Sequence, residues 1–172
     1  MKTSIIATGY SLKGKDLNKI EGHKIAVNYA FRYVDYDLLC AFDDPIVHGF
    51  PVDEKLHTNY IWVDKYNLNC NGWSRQQRRD CLVFQDNNEI FGRSGSLFCA
   101  INVAMKLGFT EIDVYGADME LTDGYCHFYD EEPVKDKMKI RHYLSSFERH
   151  KHTKKVFLSM LPKGCKLNFL SL

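Results

Sequence analysis

The stretch Ser96–Tyr115 constrains the fold more than any other part of this chain. Leu97, Ala100, Ile101, Ala104 and Met105 recur at helical spacing, and Val103 and Leu107 widen the stripe. This predicts a helix over Ser96–Leu107, with Ser94 or Ser96 placed to cap its start and Gly108 to stop it. The run Glu111–Tyr115 (EIDVY) then returns as a strand. A helix leading straight into an apolar strand is half of a βαβ unit, and such units build parallel sheets with right-handed crossovers.

The rest of the chain follows the same plan. Short runs rich in Ile, Val, Leu and Phe predict further strands at Ser4–Thr8, Lys24–Asn28, Leu38–Phe42, Tyr60–Val63, Leu82–Phe84 and Lys155–Ser159. None alternates strictly, as expected for strands covered on both faces. A second helix is predicted over Lys135–Lys151, a helical turn at Asp16–Ile20, and a polar loop over Lys65–Asp80. No repeat, linker or low-complexity tract interrupts the 172 residues. The expectation is an α/β fold: a single Rossmann-like domain over 1–172, with a mostly parallel sheet flanked by helices.

Charge and cysteines narrow the function classes. Lys and Arg total 23 against 22 Asp and Glu, a formal net charge of +1, which argues against a general nucleic-acid coating role. The six cysteines are scattered, without a C-x-x-C pair, and read as reduced thiols filling the core. His150 and His152 lie two apart but lack a second close pair, so a structural zinc site is not expected. The apolar run Ile5-Ile6-Ala7 is too short for a secretory core, and no stretch reaches the roughly 20 apolar residues of a membrane span. A cytoplasmic location is expected.

In open parallel sheets, ligands bind beyond the carboxyl ends of the strands. That rule selects Thr8-Gly9-Tyr10-Ser11-Leu12, Asn28, Asp43-Asp44-Pro45, Arg93-Ser94-Gly95-Ser96 and Gly116-Ala117-Asp118-Met119. No G-x-G-x-x-G and no P-loop is present. Ser94-Gly95-Ser96 reads either as a plain helix cap or as an anion cradle. Gly95 would allow close approach, and the amides of the helix N-terminus would hold a phosphate or carboxylate. The aromatic stretch Leu121–Asp130 reads as a loop over the site, in which Tyr125 and Tyr129 are placed to meet a phosphate or stack on a base. His127 is the histidine of that loop and the candidate general base. Asp44 and Asp118 are the alternative catalytic groups, through metal binding or direct proton transfer. His142, His150 and His152 are read as a solvated face with Arg141, Arg149 and Lys151, and Arg75, Arg78 and Arg79 as a solvated loop.

Taken together, IIATGYSLKGKDL, AVNYAF, AFDDP and SGSLFCAINVAMKLGFTEIDVYGADM resemble one superfamily. It comprises the bacterial sialyltransferases of the lipooligosaccharide type, the domain of unknown function in motility accessory factors, and the related 6-hydroxymethyldihydropterin pyrophosphokinases. The resemblance implies a Rossmann-like site for a nucleotide or nucleotide-sugar donor, with no obligatory metal in the sialyltransferase branch. Carried over, Gly9, Ser11, Asn28, Ser94, Gly95 and Ser96 would meet the nucleotide, and Asp118 would shape the pocket. Tyr125 is the match to the phosphate-binding tyrosines of the sialyltransferases, and the position of their catalytic histidine, near Pro133–Lys137, holds none here.

Three functions follow as expectations. The leading one is a small glycosyltransferase-like transferase using a nucleotide-activated donor. The second is a pyrophosphokinase-like transferase using ATP, with Asp43, Asp44 and Asp118 holding magnesium. The third is a nucleotide-binding protein without catalysis.

Overall fold

Ile5 and Ile6 are both fully buried, and they face opposite ways across the first strand. In the computed structural model, which describes residues 1–41, 60–62 and 95–172, that strand is β1 (Lys2–Ile6). It is followed by β2 (Lys24–Val27), β3 (Leu38–Ala41), β4 (Tyr60–Trp62), α1 (Gly95–Lys106), β5 (Glu111–Tyr115), α2 (Lys137–Ser159) and β6 (Lys166–Leu170). The described strands form one sheet in the order β4-β3-β2-β1-β5-β6, with every pairing parallel. At its centre Ile5 stands between Ile25 of β2 and Val114 of β5.

Each sheet face has its own core. Ile5, Ile25, Val27, Leu38, Ile112, Val114 and Leu167 pack with α1 and with Phe157 of α2. Ile6, Ala26 and Leu39 pack on the other side with Leu12, Leu17, Ile20, Ala30, Val34 and Phe128. Those partners come from short 3-10 turns at Tyr10–Leu12, Leu17–Lys19 and Asn28–Arg32 and from the aromatic loop. Among the described residues, both long helices thus cover one face, and turns and loop cover the other. Burial on both sides explains why the strands read as continuous apolar runs.

Most expected elements are found within one or two residues of their predicted bounds, including the strand Tyr60–Trp62 and the short turn capped by Asp16, which accepts from the Asn18 amide at 3.3 Å. Two expectations are corrected. Lys155–Ser159 is not a strand but the last turn of α2, which runs on past Lys151. Val156 and Phe157 favour extended structure locally. The helix persists because Phe157 reaches Phe98 of α1, with ring centroids 5.2 Å apart. The strand beyond β5 is instead Lys166–Leu170, whose alternation places Leu167 in the core. A turn precedes it, closed by the Cys165 amide on the Pro162 carbonyl at 3.0 Å. In α1, every residue from Phe98 to Ala104 is buried, the polar Asn102 among them, so the helix is buried all round rather than along one stripe. The expected strand Leu82–Phe84 and loop Lys65–Asp80 lie outside the described residues.

The order of strands locates the site. From β1 the chain steps outward to β4, then returns to the other side of β1 as β5. The direction reverses between β1 and β5, and a crevice opens at such a switch point beyond the carboxyl ends of the strands. Among the described residues, no helix is long and apolar enough to cross a membrane.

Candidate functional site at the strand switch point

The turns after β1 and β5 are locked together. The Gly9 amide donates to the Gly116 carbonyl at 2.7 Å. A Cβ at Gly9 would lie 2.6 Å from the Asp118 Cγ, so only glycine permits this approach. Gly116 turns the chain with φ +68°, in the left-handed region. Asp118 then spends both carboxylate oxygens on Ser11, accepting from its amide at 2.7 Å and its hydroxyl at 2.5 Å. Gly9 and Gly116 therefore lie on the same sheet edge, as the shared site requires.

The loop Leu121–Asp130 is fastened onto the first turn. His127 bridges to Gly9 in antiparallel fashion, and the Phe128 amide donates to the Thr8 carbonyl at 3.0 Å. The Asp130 carboxylate accepts from the His127 amide at 2.7 Å and the Cys126 amide at 3.2 Å, which shapes the tight turn presenting His127. Lys13 donates to the Asp130 carbonyl at 2.7 Å and lies over the rings of Tyr10 and Tyr125, themselves stacked 4.6 Å apart.

Burial sets the protonation of this loop. Desolvation lowers the His127 imidazole below its ordinary value, against the opposing pull of the Asp130 charge and a hydrogen bond to the Thr8 backbone. Its ring stacks on Tyr129 at 5.0 Å and meets Tyr143 edge-on at 6.1 Å. Burial, with the Asp130 and Asp118 charges, pushes the Cys126 thiol up to about 12, which leaves it an unreactive core thiol.

These pieces surround a cleft of about 390 Å³, a size that suits a small-molecule site. Gly9, Asn28, Ser96, Asp118 and His127 all line it. They come from the ends of β1, β2 and β5, the first turn of α1 and the aromatic loop. Asn28 has φ +49°, a conformation its short polar side chain tolerates, and among the described residues its buried Oδ1 has no hydrogen-bond partner. Ser11 reaches the cleft through Asp118, and Gly95 opens α1. Tyr125 does not line the cleft but stacks on Tyr10. Asp43, Asp44, Arg93, Ser94 and the Arg75, Arg78 and Arg79 cluster lie outside the described residues.

The sequence reading missed a wall. His142, Tyr143, Ser146, Phe147 and His150 of α2 line the same cleft. His150 is therefore not part of a solvated face: it is half-buried, and its ring meets Phe98 at 6.0 Å. Burial, aided by the Arg149 charge, lowers its imidazole below the ordinary value. The signal was present in the four-residue spacing of His142, Ser146 and His150, which puts them on one helix face. Among the described residues, His, Cys, Asp and Glu side chains form no group of three or more that could hold a metal ion.

No protein-family model and no curated protein matches the sequence. The fold, however, is similar to that of solved structures. The sialyltransferase CstII from Campylobacter jejuni, in complex with the substrate analogue cytidine-5'-monophosphate, matches with a TM-score of 0.58 at 18% identity, over 99% of this chain and 80% of that one. The sialyltransferase CST-II in complex with a trisaccharide acceptor and CMP matches with a TM-score of 0.47 at 14% identity, over 99% and 81% of the two chains. CstII from the same organism in complex with CMP-3FNeuAc gives the same values. This chain thus has a sialyltransferase-like α/β fold.

Proposed function

We propose that the chain is a small glycosyltransferase-like transferase whose switch-point cleft holds the nucleotide part of an activated donor. The observation that carries this reading is the meeting of four features in one cleft: the locked Gly9/Gly116 turns, the first turn of α1, the unpartnered Asn28 Oδ1 and His127. An unpaired buried acceptor costs about 1–3 kcal/mol, which a ribose hydroxyl or a base amine would relieve. The amides at the start of α1 would take the phosphate. Asp118 acts by position, since both its oxygens serve Ser11. His127, neutral through burial, is the base for an acceptor hydroxyl. The fold likeness to a sialyltransferase solved with cytidine-5'-monophosphate supports a nucleotide in this place.

Thermal-shift and calorimetric titration with CMP, CMP-sugars, other nucleotide sugars and ATP, each with and without magnesium, test the reading. A ligand at 100 times its Kd should stabilise the fold by about 2.7 kcal/mol, which for a chain of this size is a Tm rise of about 5–10 °C. Asn28→Ala should weaken nucleotide binding about tenfold, the loss of roughly one good hydrogen bond. Magnesium-dependent binding of ATP alone would favour the pyrophosphokinase-like alternative. Binding without turnover of any activated donor would leave a nucleotide-binding protein.

A further inference from the structure

The charge of this chain is unevenly placed. Over Lys137–Ser159, α2 carries seven Lys and Arg against one acid, Glu148. The whole chain has a formal charge of +1, so the excess of six positive charges on α2 leaves an excess of five negative charges on the remaining residues. The acids nearest the helix, Glu131, Glu132 and Asp136, precede its first turn. There Asp136 is occupied as the cap, and Glu132 pairs with Lys135 at 3.1 Å.

The basic side chains divide by face. Arg149 donates to the Ser146 hydroxyl at 3.0 Å, and Lys154 lies over the Phe169 ring at 3.9 Å. Lys137, Arg141, Lys151 and Lys155 instead recur at spacings that put them on one stripe, turned away from the cleft-lining Tyr143, Phe147 and His150. All four are exposed, and among the described residues only Lys151 forms an ion pair, with Glu148 at 3.0 Å. Leu144 and Leu158 lie on the same stripe, seven residues to either side of Lys151, and are 50% and 41% exposed.

This face calls for a partner that is both anionic and apolar. A second copy of the chain does not fit, since stripe against stripe sets like charges together. A nucleic-acid duplex matches the charge but offers the leucines nothing, and the stripe holds no aromatic, Asn or Gln for the bases. A phospholipid surface supplies both halves: headgroup phosphates for the long basic side chains, and the acyl boundary for the leucines. The 23-residue helix is about 34 Å long, a rod that can lie along such a surface.

We propose that the outer face of α2 docks the protein onto an anionic phospholipid surface. Leu144 and Leu158 enter the headgroup layer, and Lys137, Arg141 and Lys155 meet lipid phosphates. The inner face of the same helix walls the cleft, so docking holds the cleft about 10–12 Å, one helix diameter, from the surface. Docking of this kind is independent of what the cleft binds.

Flotation of the full chain with vesicles tests this, using phosphatidylcholine alone and phosphatidylcholine with about one part in three phosphatidylglycerol. Binding is expected on the anionic vesicles and not on the neutral ones. It should fall by about tenfold or more when salt rises from about 0.1 M to about 1 M and screens the charges. The triple variant K137Q/R141Q/K155Q should bind about 100-fold more weakly, and L144Q/L158Q about tenfold more weakly. Glu148→Gln removes the one acid of the stripe and releases Lys151, so it should bind about fivefold more tightly, a gain that loss of fold cannot produce. Equal binding to both vesicle types, no binding to either, or an unchanged affinity in either multiple variant would each overturn the proposal. So would weaker binding of Glu148→Gln, or tighter binding to a DNA duplex than to the anionic vesicles.

Discussion

At the residue scale, His127 gathers the most consequences. Desolvation holds its imidazole below the ordinary 6.5, which favours the neutral ring at pH 7. A base of this kind gives a rate profile whose acid limb lies below pH 6.5. His127→Ala should lower kcat by about 100- to 10,000-fold in a donor-turnover assay, with the KM for the nucleotide donor little changed. Activity within a few-fold of the unaltered chain would remove His127 from the mechanism. The same shift has a stability sign. Protonation is disfavoured in the fold, so this contribution is present above the unfolded value and is lost as pH falls through the lowered one. Asp118 stands in contrast: its oxygens are already taken by Ser11, and its value to the site is the shape of the Gly9–Leu12 turn.

At the scale of elements, α2 decides how the site is walled. Asp136 caps it, accepting from the Met138 amide at 2.7 Å and the Lys139 amide at 3.1 Å. From there one face runs Tyr143, Phe147, His150, Thr153 and Phe157, first along the cleft and then into the core. A strand at Lys155–Ser159 would turn Lys155 and Ser159 to the same face as Phe157, whereas the helix buries Thr153 and Phe157, four residues apart, and leaves Lys155, Ser159 and Leu158 exposed, the last at 41%. Phe157→Ala should therefore cost about 3–5 kcal/mol in urea unfolding, the price of an aromatic-sized core cavity. Leu158→Ala should stay within about 0.5 kcal/mol. Equal losses at the two positions would refute the helical packing.

At the scale of the whole molecule, one buried carboxylate joins three strands. Asp113 of β5 accepts from Lys2 of β1 at 2.8 Å and from Asn168 of β6 at 2.8 Å. Burial alone would raise its pKa. The hydrogen bonds from Lys2 and Asn168 and the Lys2 charge outweigh burial and hold it below the ordinary 3.8. A carboxyl lowered in the fold stabilises at pH values above its unfolded one, and this contribution disappears as pH falls from near 3.8 through the folded value. Acid titration of the urea midpoint should show that loss in the unaltered chain and a flatter profile in Asp113→Ala. At pH 7 the substitution should cost about 1 kcal/mol, since the exposed Lys2 end is screened. Parallel profiles would show that Asp113 does not couple the strands.

Periodicity alone determined the parallel plan. Leu97 to Met105 spell a helix, EIDVY a strand, and the unbroken apolar runs a sheet covered on both faces, because these patterns depend only on where a residue's immediate neighbours point. The turn residues that converge at the switch point, Gly9, Asn28, Ser96 and Asp118, were legible for the same reason: strand ends in such sheets meet at one edge. What covers each face was not legible. Val156 and Phe157 read as strand until Phe98 is seen beside them, and Lys166–Leu170 gained its place by pairing with β5. His150 read as solvated until α2 was laid along the cleft, and Tyr125 as a ligand contact until Tyr10 took its face. Tertiary structure decided these positions because each depends on a partner far away in sequence. A local pattern names the face that must be buried and leaves open which distant side chain buries it.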